Sequence, residues 1–171
     1  MKRRTVLQIL PLAALPARAA DFCAANGGSR FENYTFVFFT ADDAELAGRL
    51  MEIIIPADEN SPGAGQARTA AFADLMLSTG SEDARQRWRE GLSLFRREAE
   101  RTSLEAAVAK AAEEEENPRS DLGRFFVSLK QMTVDGYYTS AVGIHQDLKY
   151  QGNDHLTVSP KCDHPEHKSK L

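Results

Sequence analysis

Cysteine is scarce in this 171-residue chain, which carries only Cys23 and Cys162. Two thiols cannot hold an iron–sulfur cluster, which needs about four. They permit one disulfide and exclude a disulfide framework. Positive charge is not in excess, since the formal net charge is −4. That balance argues against a nucleic-acid partner, which calls for a basic face. The sequence also lacks a glycine-rich dinucleotide fingerprint, a phosphate loop, a haem-attachment pair and a nucleophile elbow. Nothing therefore marks a nucleotide, haem or cluster site. Internal repeats and glycine- or proline-rich linkers are missing as well.

What is present begins with MKRRTVLQILPLAALPARAA. Lys2, Arg3 and Arg4 form a basic start, Val6 to Leu15 a short apolar stretch, and Ala17-Arg18-Ala19 a small–x–small cleavage pattern. The apolar stretch is much shorter than the roughly 20 residues a bilayer span requires. Arg3-Arg4-Thr5-Val6-Leu7 is similar to the twin-arginine export pattern, and Arg18 adds a charge before the cleavage site. Residues 1–19 are thus expected to be a twin-arginine-type signal, an ordinary secretory signal being the alternative. Residues 20–171 remain as one domain of about 150 residues, the commonest domain size.

Beyond the signal, FENYTFVFF reads as an extended segment. Thr40 with Asp43 then opens a helix in the manner of a capping box, with Leu46, Leu50, Ile53 and Ile54 on one face. Pro56 stops it, and ADENSPGAG is a loop. Helical spacing resumes at Phe72, Leu75 and Met76, and again at Ala84, Trp88, Leu92 and Phe95 after a start near Ser81. A further helix begins near Ser103 and turns Leu104, Ala107, Val108 and Ala111 inward. It should end at or before the acidic run Glu113 to Glu116, because acids oppose the dipole at a helix C-terminus; that run reads as solvated. The last pattern, Leu122, Phe125, Phe126, Leu129 and Met132, leads to a turn at Asp135-Gly136. The expected fold is an all-α bundle of four to five amphipathic helices, each stripe covering another.

Residues 136–171 show no helical or strand period, and a long irregular C-terminal segment is expected there. Tyr137, Tyr138 and Tyr150 argue against disorder, so this tail should pack on the bundle, on a partner, or on both. Cys162, His164 and His167 offer zinc-type donors. Their crowding around Pro165 leaves a disulfide or an interface as the competing reading. A Cys23–Cys162 bridge would close a loop worth about 5 kcal/mol in the entropy model. Alternatively, Cys162 bridges to another chain.

Phe39-Thr40, Ile54-Ile55-Pro56-Ala57-Asp58 with Ser61-Pro62-Gly63-Ala64, Asp135 to Ser140 with Gly143, Tyr150-Gln151-Gly152-Asn153, and Cys162 with His164 to His167 together resemble gluconate 2-dehydrogenase subunit 3. The likeness spans nearly all of the chain after the signal. It implies a non-catalytic small subunit, with no catalytic residue and no cofactor of its own. Its partner would be a larger FAD-containing flavoprotein of the glucose–methanol–choline type that oxidises a sugar or sugar acid, and a multihaem cytochrome c often forms a third subunit. The small subunit's role would be to stabilise the flavoprotein and carry it through the twin-arginine machinery to the periplasm. Tyr137, Tyr138, Thr139, Tyr150, Asn153, Cys162, His164 and His167 are the expected partner-binding residues. The runner-up is a free-standing periplasmic metal-binding protein using Cys162, His164 and His167.

Overall fold

A computed structural model describes residue 31 and residues 33–150. Its helices are α1 (Ala41–Ile54), α2 (Thr69–Thr79), α3 (Glu82–Arg101), α4 (Leu104–Ala112) and α5 (Asp121–Tyr138), followed by a π-helical turn, Val142–Asp147. The described residues contain no β-strand, and the fold is all-α. Four helices start at a hydroxyl. Thr40, Ser81, Ser103 and Ser120 each accept the N–H three residues on, from Asp43, Ala84, Ala106 and Gly123. Each such cap satisfies one of the orphan donors of the first turn.

Helix α5 is the axis of the bundle and packs against α1, α2, α3, α4 and the π turn. One core joins them, with Leu50, Met51, Leu77, Leu92, Phe95, Phe126 and Leu129 among its buried members. Trp88 lies in it, edge-on to Phe125 at 5.2 Å. The inward residues expected of α4 (Leu104, Ala107, Val108 and Ala111) are all buried. That helix ends at Ala112, before the acidic run.

Four expectations are corrected. Helix α2 does not bury Phe72, Leu75 and Met76. Its buried side is Thr69, Ala71, Ala73, Asp74 and Leu77, while Met76 is exposed. Phe72 and Leu75 are half-buried, and Phe72 lies against Gly136 of α5.

The acidic run is only half solvated. Glu114 accepts the N–H groups of Arg119 (3.1 Å) and Ser120 (2.8 Å), and Glu115 meets Lys130 at 2.5 Å. The Glu114 carboxyl is held below its usual range chiefly by the Ser120 N–H and hydroxyl. This side chain ties the α4–α5 connection shut.

Nor does α5 turn at Gly136; it runs through Tyr138. Gly136 serves the helix by its lack of a side chain: a Cβ there would come within 2.9 Å of the Phe72 ring. Helical structure thus extends into the segment expected to be irregular, as far as Asp147.

The FENYTFVFF stretch is a bent strap rather than a strand. Its backbone finds partners in one side chain, the fully buried Asp74 of α2. Asp74 Oδ2 accepts from the Tyr34 hydroxyl (2.7 Å) and the Val37 N–H (2.9 Å). Its Oδ1 accepts from the Phe38 N–H (3.0 Å) and the Phe39 N–H (2.6 Å). Buried charge is costly unless fully hydrogen-bonded, and here four donors meet it. Burial and the adjacent Asp74 carboxylate push the Tyr34 phenol up to about 12. With the strap held, Phe39 packs on Trp88 at 5.9 Å. No helix among the described residues is long and apolar enough to cross a membrane.

Candidate functional site

Two segments distant in sequence meet at one end of the bundle: the loop from residue 55 to residue 68 and the end of α5 with its π turn. The loop is folded by acceptors. Glu52, in the last turn of α1, takes the N–H groups of Ala57 (3.2 Å) and Gly65 (2.7 Å). Asp58 takes those of Asn60 and Ser61, both at 2.7 Å, an Asx-type closure that holds its carboxyl below the usual range. The Ala64 N–H returns to the Ile55 carbonyl at 2.9 Å. Arg68, in the left-handed region at φ 58°, redirects the chain into α2.

Tyr137 joins this loop to α5. Its side chain is fully buried, and its hydroxyl donates to the Pro62 carbonyl at 2.6 Å. Burial raises the phenol's pKa, and the negative charges of Asp147, Asp58 and Glu52 add to the effect. Tyr138 stacks edge-on against it at 5.1 Å and is 41% exposed. Its phenol is raised by partial burial and then by Asp147.

Beyond Tyr138 the chain does not leave the bundle. The Ser140 hydroxyl donates to the Tyr137 carbonyl at 2.6 Å and accepts the Gly143 N–H at 3.0 Å. Gly143 has no space for a side chain, since a Cβ would collide with the Tyr137 carbonyl and lie 3.0 Å from the Tyr138 Cα. The Leu148 N–H then reaches the Gly143 carbonyl at 2.9 Å, closing the wide turn. Single π turns are frequent at functional sites. This one displays Leu148 at 59% exposure and leads to Tyr150 at 48%.

The expected partner-binding residues therefore separate. Tyr137 is a core residue and an anchor, so it presents no surface to a partner. Tyr138 and Tyr150 are exposed, as is Thr139, whose hydroxyl donates to the Asp135 carbonyl at 2.6 Å. Asn153, Cys162, His164, His167, Cys23, Arg3 and Arg4 lie outside the described residues, as do the signal at 1–19 and the disulfide and zinc readings. Among the described residues, no group of three or more His, Cys, Asp or Glu side chains is arranged to hold a metal ion. Two of the three carboxylates that act on Tyr137 are engaged structurally: Glu52 and Asp58 fold the loop. The result is a rigid mount carrying exposed aromatic and aliphatic side chains, a composition suited to an interface.

The family model for gluconate 2-dehydrogenase subunit 3 matches residues 41–154, more than half of the chain. The chain belongs to the gluconate 2-dehydrogenase subunit 3 family. It is accordingly a small subunit of a dehydrogenase complex of that kind. The matched span includes both segments of the mount and excludes the signal-like start. No curated protein and no solved structure matches the chain.

Sequence reasoning overlooked Asp74 and Glu52. A signal for Asp74 was available, since it is the single charged residue in the eleven-residue α2. Glu52 carries no such mark, because an acid in the last turn of a helix ordinarily faces solvent.

Proposed function

We propose that this member of the subunit 3 family is the non-catalytic small subunit of a periplasmic sugar or gluconate dehydrogenase. In this reading it binds an FAD-containing flavoprotein of the glucose–methanol–choline type, stabilises it and accompanies it through the twin-arginine machinery. A cytochrome c subunit would take the electrons onward. FAD belongs to the partner, and this chain contributes contact surface.

The observation that carries the reading is the Tyr137–Pro62 lock. It ties the end of α5 to the 55–68 loop, with Tyr138 packed on Tyr137 and the π turn bonded back to α5, so the exposed side chains are held in place before binding. Preorganisation of this kind lowers the ordering cost of association. A folded flavoprotein must acquire FAD before export, which gives the Arg3-Arg4 signal a purpose for the whole complex. Deleting residues 1–19 and assaying the flavoprotein in periplasmic fractions tests this. The expected result is active flavoprotein retained in the cytoplasm, and undiminished export would reject the shared-signal role.

A further inference from the structure

Two helices end where the mount is built, α1 at Ile54 and α5 at Tyr138. A helix C-terminus is the negative end of the helix dipole, and basic side chains are its stabilising neighbours. Neither helix has a basic residue in its last turn. Each carries an acid there instead, Glu52 in α1 and Asp135 in α5. The adjoining segments add charge of the same sign, with Asp58 and Glu59 in the 55–68 loop and Asp147 in the π turn. Against these five carboxylates the same segments hold two cations, Arg68 and Lys149, with His145 taken as neutral. Arg68 lines a separate recess with Phe31, Tyr34 and Phe36 of the strap.

The chain does not neutralise these acids itself. No ion pair among the described residues includes any of the five. Glu52, Asp58 and Asp135 accept from backbone N–H groups, the Ser61 hydroxyl or the Gln131 amide, neutral donors that leave the charge in place. The charges that act on Tyr137 are those of Asp147, Asp58 and Glu52, and Asp147 also acts on Tyr138. The exposed Tyr138, Leu148 and Tyr150 thus stand in an acidic frame, as an apolar interface centre stands in a polar rim.

We propose that the mount docks a partner-protein surface with an apolar centre and a rim of lysine or arginine side chains, which pair with Asp135, Asp147 and Glu59. The proposal rests on the mount being the contact surface, and it adds the charge of what covers it. Complementary potentials speed encounter and suppress wrong partners. Cations placed here also face two helix C-termini that lack basic residues of their own. An anionic membrane surface or a nucleic acid is repelled by the same frame.

The test uses the tagged full-length chain and the flavoprotein that co-purifies with it from the source organism. Rebinding is followed in real time at roughly 20 mM and roughly 500 mM salt, from weak to strong screening. E59K/D135K reverses two exposed rim charges, neither of which folds the loop. Its association rate should fall roughly tenfold or more at low salt, and the gap to the parent should close at high salt. The parent's own rate should fall with salt. A double variant associating at the parent's rate, or a parent rate indifferent to salt, would overturn the proposal. Should the double variant not fold, Asp147→Lys and the parent's salt series decide. Tyr138→Ala removes the apolar centre at unchanged charge. Weaker binding by Tyr138→Ala, with indifference to charge reversal and salt, would reject the basic rim and leave the mount standing. Indifference to all three changes would reject both.

Discussion

Removing the Asp74 carboxylate should release the aromatic strap. In Asp74→Ala, the Tyr34 hydroxyl and the N–H groups of Val37, Phe38 and Phe39 lose their shared acceptor. Hydrogen bonds to a charged group contribute about 1.5–3 kcal/mol each, so four of them set a high ceiling. The strap can escape that cost by detaching and letting water satisfy its donors. It then forfeits the burial of Phe39, about 1.5–3 kcal/mol for a phenylalanine, together with the edge of the core at Trp88. A net loss of about 3–5 kcal/mol follows, in the range of broken buried networks. For a domain of this size that lowers the melting temperature by roughly 10–15 °C.

Asp74→Asn should cost less, about 2 kcal/mol, because one oxygen still accepts while the new amide opposes the remaining N–H. The assay is thermal melting by circular dichroism, paired with limited proteolysis between residues 31 and 39. An Asp74→Ala protein melting within about 3 °C of the parent, with an uncut strap, would refute the view that one carboxylate holds this segment.

Tyr34 supplies a pH test of the same knot. Its folded pKa is raised from 10.0 to about 12, so the folded state holds the proton more tightly than the unfolded chain. The stabilisation is complete below pH 10 and declines as pH rises towards about 12. Strap proteolysis should rise across that window, and a Tyr34→Phe protein should lack the transition. Tyr137→Phe should cost about 1 kcal/mol by chemical denaturation, through loss of the bond to the Pro62 carbonyl; no change would mean that the lock holds nothing. Gly91→Ala should cost about 1–3 kcal/mol, because a Cβ there meets the Phe125 ring. It should also alter the fluorescence of Trp88, the single tryptophan, which packs on that ring.

The bundle was legible wherever chemistry was local. Thr40, Ser81 and Ser103 announced their helices, because a hydroxyl three residues before an N–H caps it whatever the rest of the fold does. Pro56 ended α1, and the acidic run marked the end of α4. Failures came where distant packing reversed a local preference. Gly136 looked like a breaker, yet α5 continues through it because Phe72 needs the space. The Phe72, Leu75 and Met76 stripe was misleading because the inward side of α2 is set by Ala71, Ala73, Asp74 and Leu77, which leaves Met76 exposed.

The mount was half legible. Its two segments stood out separately in the sequence, but their meeting depends on one hydroxyl crossing to Pro62. No periodicity encodes a contact between residues 75 positions apart. The strap was illegible for the same reason, since three of its four donors are backbone N–H groups and their acceptor lies on α2.

The central claim is that the subunit acts by binding, through side chains held on the Tyr137 lock. Its most direct test compares retention of the flavoprotein on tagged parent chain and on tagged Tyr138→Glu chain, purified from the source organism. The account predicts that the parent retains an FAD-containing partner. In Tyr138→Glu, affinity should fall roughly 30-fold or more, the cost of about 2 kcal/mol at an interface hot spot, with the isolated chain's melting temperature unchanged. Equal retention by both chains, or sugar oxidation by the isolated chain without any flavoprotein, would contradict it.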